Sequence, residues 1–191
     1  MTARELVAAY LAQNFRLAIW PDEGDAKGPT EKGWPTQQKT LADYHDGDRV
    51  GVITGVEISP GRIVHDVDLD WVSGAQFFLA FLPPTDFVFG RTSKHISHCL
   101  YTLPTALARI EYKDPVDGIM LAEIRGAKAN GDVGFQTMAP PSTWSKHGVR
   151  EPLEFRRVVS GKLPVILHVD DVTHFVQRVT LGAIASVLAR H

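Results

Sequence analysis

Apolar residues along this chain switch between helical and strand spacing, and those switches predict most of its elements. Thr2 and Glu5 form a capping-box pattern, after which Leu6, Val7, Tyr10 and Leu11 recur at helical spacing and predict an opening amphipathic helix. A short strand is predicted at residues 17–20. Residues 21–33, rich in Gly, Pro and charge, read as a polar surface loop ending at Trp34-Pro35. A brief helix is predicted at 40–45, a strand at 50–56 interrupted by Gly55, and a helix at 71–82 closed by Pro83-Pro84. Strands are predicted at 87–90, 98–103, 108–112, 120–124, 134–138 and 153–157. After Pro164, the residues Val172, Phe175, Val176, Val179 and Ala183 have helical spacing again. This mixture predicts an α/β (α+β) fold with its main domain over residues 1–164. Residues 165–191 then read as a C-terminal helical segment, the start of a linker to a further domain.

The most informative strand spans residues 62–70. Side chains alternate across a strand, so Ile63, His65, Val67 and Leu69 fall on one face and Val64, Asp66, Asp68 and Asp70 on the other. Alternate strand residues lie roughly 6.5–7 Å apart, close enough for Asp66 and Asp68 to lean toward one cation, and hard divalent ions prefer such oxygen ligands. A strand edge also carries aspartates simply to stay soluble and unpaired. Ile63 and Val64 carry this strand into a core, however, where clustered carboxylates need a cation or a basic partner.

Two further clusters add chemistry. Gly90-Arg91-Thr92-Ser93-Lys94-His95-Ile96-Ser97-His98 leads cationic and hydroxyl side chains into a strand, a set suited to polyphosphate because Arg grips phosphate with two donors. His95 and His98 as a transition-metal pair is the weaker alternative, and an exposed loop position the plain account of His95. Glu123 and Arg125 share one face of a predicted strand, where a mutual salt bridge is the plain account. Gln136-Thr137 and the stiff Pro140-Pro141 turn follow, with Ser142 directly after the turn.

Composition narrows the partners. A formal net charge of -2 argues against a generic, charge-driven nucleic-acid coat, so any DNA contact must be local. The single cysteine excludes an intrachain disulfide and a Cys-rich zinc site, and fits a reducing cytoplasm. Arg4 and Glu5 interrupt the first apolar residues, so the opening segment reads as neither a signal peptide nor a membrane span.

Taken in order, these clusters resemble the bifunctional DNA primase/polymerase (prim-pol) domain of the archaeo-eukaryotic primase superfamily, found in phages, plasmids and mobile elements. The likeness covers most of the chain: the opening helix, Lys27-Gly28-Pro29, Gly33-Trp34-Pro35, Asp66-Val67-Asp68, Ser97-His98, Glu123-Ile124-Arg125-Gly126, Gln136-Thr137 and Pro140-Pro141-Ser142. The resemblance implies a primase fold with an RRM-like mixed sheet and an N-terminal α/β portion. It implies template-dependent nucleotidyl transfer, with Asp66, Asp68 and Glu123 as catalytic residues and ligands of two divalent ions, Mg²⁺ or Mn²⁺. Arg91, Lys94, Ser97, His98, Arg125 and Ser142 would bind the nucleoside triphosphate, and Lys27 and Lys32 the single-stranded DNA template. A cytoplasmic replication context follows, without a membrane. No Walker motif is present, so a helicase would act in trans or in a further C-terminal domain. A metal-dependent nuclease and a non-catalytic DNA- or nucleotide-binding replication module are the alternatives.

Overall fold

The computed structural model describes residues 1–157 and 161–191. Helix α1 (Ala3–Ala12) leads into strands β1 (Leu17–Trp20), β2 (Arg49–Ile53), β3 (Glu57–Ser59) and β4 (Arg62–Asp68), followed by helix α2 (Ala75–Phe81). Strands β5 (Val88–Arg91), β6 (Lys94–Leu103), β7 (Ile110–Lys113), β8 (Met120–Arg125) and β9 (Gln136–Ala139) come next. Four shorter strands, β10 (Thr143–Lys146), β11 (Val149–Pro152), β12 (Glu154–Phe155) and β13 (Leu167–His168), precede helix α3 (Val172–Arg190). The α+β class expected from the sequence is what the chain adopts.

The capping box at α1 is formed: Glu5 N donates to Thr2 Oγ1 at 3.2 Å and Thr2 N to Glu5 Oε2 at 2.8 Å. The helix predicted at 71–82 is divided. Residues Val72–Gly74 form a 3-10 turn before α2, and the Trp71 ring packs so closely on Gly74 that no side chain would fit there. The brief helix predicted at 40–45 is a 3-10 turn, Leu41–Asp43, held by Thr40 N donating to Asp43 Oδ2 at 2.7 Å.

The main sheet has the order β12-β5-β6-β4-β8-β7, with β3 added beside β4 and β13 beside β6. A second, three-stranded antiparallel sheet has the order β1-β2-β9, and β10 and β11 form a separate hairpin. Strand β6, ten residues long, is central because β4 runs along one of its sides while β5 and then β13 share the other. One face of the main sheet buries Val67, Leu69, Cys99, Tyr101 and Ile124 against α2 and α3. The opposite face buries Val64, Phe89 and Leu100 against α1 and the small sheet. That second face turns polar toward one end, where Asp66, Asp68, His98, Glu123 and Arg125 stand, because strand alternation leaves these residues no other side.

Residues 165–191 are not a separate appendage. β13 pairs in parallel with β6, and Phe175, Val179 and Ala183 of α3 complete the core shared with β4, β6 and β8. By length and mean hydropathy (1.3), α3 is the one helix among the described residues that would suit a membrane span, and only 28% of its apolar window is buried here. Gly182 is where α2 and α3 approach, since a Cβ there would lie 2.7 Å from Phe78 Cδ1 and 2.8 Å from Phe78 Cα. Gly182→Ala is therefore expected to destabilise the fold by about 1–3 kcal/mol, the usual cost of overpacking, measured as a lower urea midpoint at an unchanged slope.

Candidate functional site

The polar end of the main sheet forms the floor of a cleft of about 620 Å³, whose lining includes Asp68, Asp70, Arg91, Lys94, His98, Glu123 and Arg125. Register brings these residues together. Asp68 on β4 lies opposite His98 of β6 on one side and Glu123 of β8 on the other, and Asp66 lies opposite Arg125. Asp70 follows just beyond the strand, its backbone tied to Leu121 O at 2.9 Å. One oxygen from each of Asp68, Asp70 and Glu123 lies within 4.8 Å of the other two.

Basic side chains interleave with these acids. Arg125 pairs with both Glu123 and Asp68, the latter at 2.5 Å, and its Nη1 lies 3.8 Å from Asp66 Oδ2. Arg109 Nε donates to Glu123 Oε2 at 2.6 Å, and Lys94 Nζ lies 3.4 Å from Asp68 Oδ1 and 3.9 Å from Asp70 Oδ1. Burial disfavours the charge on Asp68, but His98, Arg125 and Lys94 together outweigh it and hold its carboxyl below the usual range. Asp70 moves the other way, raised by burial and then by the negative charge of Asp68. Arg125 is held even more firmly in its charged form, because Asp68, Asp66 and Glu123 overcome its desolvation.

His98 is fixed in place. Its Nδ1 lies 3.0 Å from both Asp66 Oδ2 and Thr137 Oγ1, and the Phe89 ring stacks on it at 5.0 Å between centroids. Its Nε2 makes no hydrogen bond among the described residues.

Several residues stand elsewhere than the sequence led us to expect. Asp66, expected as a metal ligand, is fully buried beneath the cleft as the partner of His98 and Arg125, and Asp70 takes its place in the converging set. Ser97 is buried and donates to Lys94 O at 3.1 Å, bracing the start of β6 instead of facing the cleft. Ser142 is also structural: its hydroxyl accepts from Val50 N at 2.7 Å and donates to Val50 O at 3.0 Å, tying the Pro140-Pro141 turn to β2. Lys27 lines the cleft, whereas Lys32 lies exposed outside it. His95 is exposed on β6 away from the cleft lining, so no His95–His98 pair forms. The plain salt bridge between Glu123 and Arg125 does form.

The cleft also contains residues to which the sequence reading gave no role at the site: Arg109, Trp34, Phe135, Trp144 and Lys146. Trp144 is the platform for Arg91, whose guanidinium lies 3.9 Å from the ring centroid. Trp144 and Lys146 belong to the β10–β11 hairpin, closed by His147-Gly148 with φ of 50° and 80°. Positive φ at both loop residues is the geometry that Asn-Gly usually signals, and a histidine in the first position hides it.

The donor set on the floor consists of hard oxygens and suits a divalent cation such as Mg²⁺ or Mn²⁺. Asp66 Oδ1, outside this set, is buried with no hydrogen-bond partner among the described residues.

Behind the floor, Glu123-Ile124-Arg125 ends at Gly126, where a Cβ would meet Leu107 O and the His65 ring, 2.7 Å from its Cδ2. His65 is buried and neutral, with Nδ1–H donating to Ile63 O at 2.9 Å and Nε2 accepting from Leu107 N at 2.9 Å. Burial lowers its pKa from 6.5 to about 4. In that window the unfolded chain takes up a proton that the folded chain refuses, so stability falls as pH drops from 6.5 toward 4. The full loss is about 3 kcal/mol, seen as a pH-dependent urea midpoint whose slope His65→Gln should flatten.

No protein-family model matches this sequence, and a search of curated proteins finds no match.

Proposed function

We propose that this protein is a metal-dependent nucleotidyltransferase that extends a nucleic-acid strand on a single-stranded DNA template, as a primase, a polymerase or both. The observation that carries the reading is the convergence of Asp68, Asp70 and Glu123 on the floor of a cleft that also contains Arg91, Lys94, Arg109 and Lys146. Phosphoryl transfer depends mainly on placement and charge, and a floor of acids beneath a rim of cations supplies both. A divalent ion held by the three acids would activate the attacking hydroxyl and neutralise charge developing on the phosphate.

In this reading the chain's own groups have separate tasks. Arg91, steadied on Trp144, and Lys94 bind phosphate oxygens of the incoming nucleotide. His98 borders the same group with its Nε2 unbonded among the described residues, its ring held by Asp66, Thr137 and Phe89. Lys27, Trp34 and Phe135 line the same cleft and receive the template by charge and base stacking.

The test is incorporation of labelled nucleotides on a single-stranded DNA template with Mg²⁺ or Mn²⁺, supplying ribo- or deoxynucleotides with and without a primer. Extension supports the reading. Shortening of the strand without any nucleotide would favour a nuclease, which uses the same kind of metal site. A second reading, a non-catalytic DNA- or nucleotide-binding module, draws on the fact that Asp68, Asp70 and Glu123 each already have a basic partner. Metal-independent DNA binding with no product under any nucleotide condition would select it.

A further inference from the structure

Two of the three floor acids, Asp68 and Glu123, already share a cation. A single guanidinium, that of Arg125, reaches Glu123, Asp68 and Asp66, while Arg109 takes the second oxygen of Glu123 and Lys94 the second oxygen of Asp68. The Arg125 side chain is 23% exposed and borders the open cleft, so it has space to swing outward. A bare divalent ion entering this network must break the Arg125 contacts and would leave a displaced guanidinium close beside it, like charge against like charge. A polyphosphate arriving with the metal changes that balance, because the freed guanidinium gains phosphate oxygens for two-pronged hydrogen bonds.

We infer that Arg125 is a place-holding cation: it keeps the acids of the floor together before loading, opposes binding of the bare metal, and moves to the phosphates when metal and nucleotide arrive together. The inference rests on the reading of the floor as a metal site. It adds to that reading that loading is coupled, so that metal affinity is weak without a phosphate ligand.

The experiment is titration of the full chain with Mn²⁺ alone, with free ion measured by electron paramagnetic resonance, for the parent, Arg125→Met, Arg125→Gln and Asp68→Asn. Removing the guanidinium is expected to tighten binding of bare Mn²⁺ by about tenfold or more in both Arg125 variants, while Asp68→Asn abolishes it. Arg125→Gln, whose amide still hydrogen-bonds the carboxylates, is the check should Arg125→Met lose its fold by circular dichroism. Binding that depends on Asp68 but is unchanged or weaker in the Arg125 variants would overturn the place-holder role and leave the metal site standing. Absence of Asp68-dependent Mn²⁺ binding in every protein, with inorganic pyrophosphate present or not, would remove the metal reading and the inference with it.

Discussion

Asp68→Asn is expected to reduce nucleotide incorporation by about 10³-fold or more, the scale seen when one electrostatic contact to a reacting centre is removed, without unfolding the protein. Asp68 has a register partner on each side, His98 on β6 and Glu123 on β8, so both flanking strands contribute to its setting. The substitution keeps shape and removes charge. Arg125 retains Glu123 and Asp66, and Lys94 retains Asp70, so no basic group loses all its partners. Asp70, raised partly by the charge of Asp68, should move down toward its ordinary range and partly compensate in stability. Steady-state incorporation together with a thermal melt separates the two effects: activity collapses while the melting temperature stays close to the parent's.

Arg49→Met is expected to have the largest effect on stability. Arg49 is almost completely buried on β2, where it pairs with Asp22 and donates to Ala26 O, to Gly24 O at 2.8 Å and to Ser145 Oγ at 2.8 Å. Its removal leaves Asp22 with Arg150 alone, Gly24 O with only the Ser145 hydroxyl, and Ala26 O without its side-chain donor, and breaking a buried pair in this way costs about 3 kcal/mol or more. For a chain of this size that corresponds to a melting temperature roughly 6 °C lower or more. The consequence reaches the cleft, because Arg49 fastens the loop after β1, which carries Lys27, to the hairpin that carries Trp144 and Lys146. Combining it with Asp22→Asn removes the charge that Arg49 shared with Arg150, so the double variant should lose less than the sum of the two single losses. A strictly additive pair would show that the contacts to the carbonyls and Ser145, and not the ion pair, hold the loop.

Local pattern carried much of the architecture. Capping residues announced α1, and the two-residue period of 62–70 assigned Val67 and Leu69 to the face packed on the helices and Asp66 and Asp68 to the opposite face. Alternation could not tell which acids on that face emerge from the sheet. Asp66 lies deep enough to be covered, and Asp70, two residues past the pair singled out, comes within reach of Glu123. That distinction depends on the pairing of β4 with β8, strands far apart in sequence. Ser97 and Ser142 illustrate the same limit: a hydroxyl near a cationic cluster has the right chemistry for phosphate, yet both are used by nearby backbone groups. Trp144 and Lys146 were hidden by the His147-Gly148 turn, and the docking of 165–191 by the parallel pairing of β13 with β6, which leaves no local mark.

In the proposed nucleotidyltransferase, Asp68, Asp70 and Glu123 act together as the metal-holding acids. Asp70→Asn tests it most directly, because Asp70 is the least buried of the three and the one that structure, not motif, places in the set. In a template-dependent extension assay with Mn²⁺, the parent is predicted to extend labelled strands and Asp70→Asn to lose nearly all of that product while melting like the parent. Full extension by Asp70→Asn, or a parent that makes no product with any nucleotide, would contradict it.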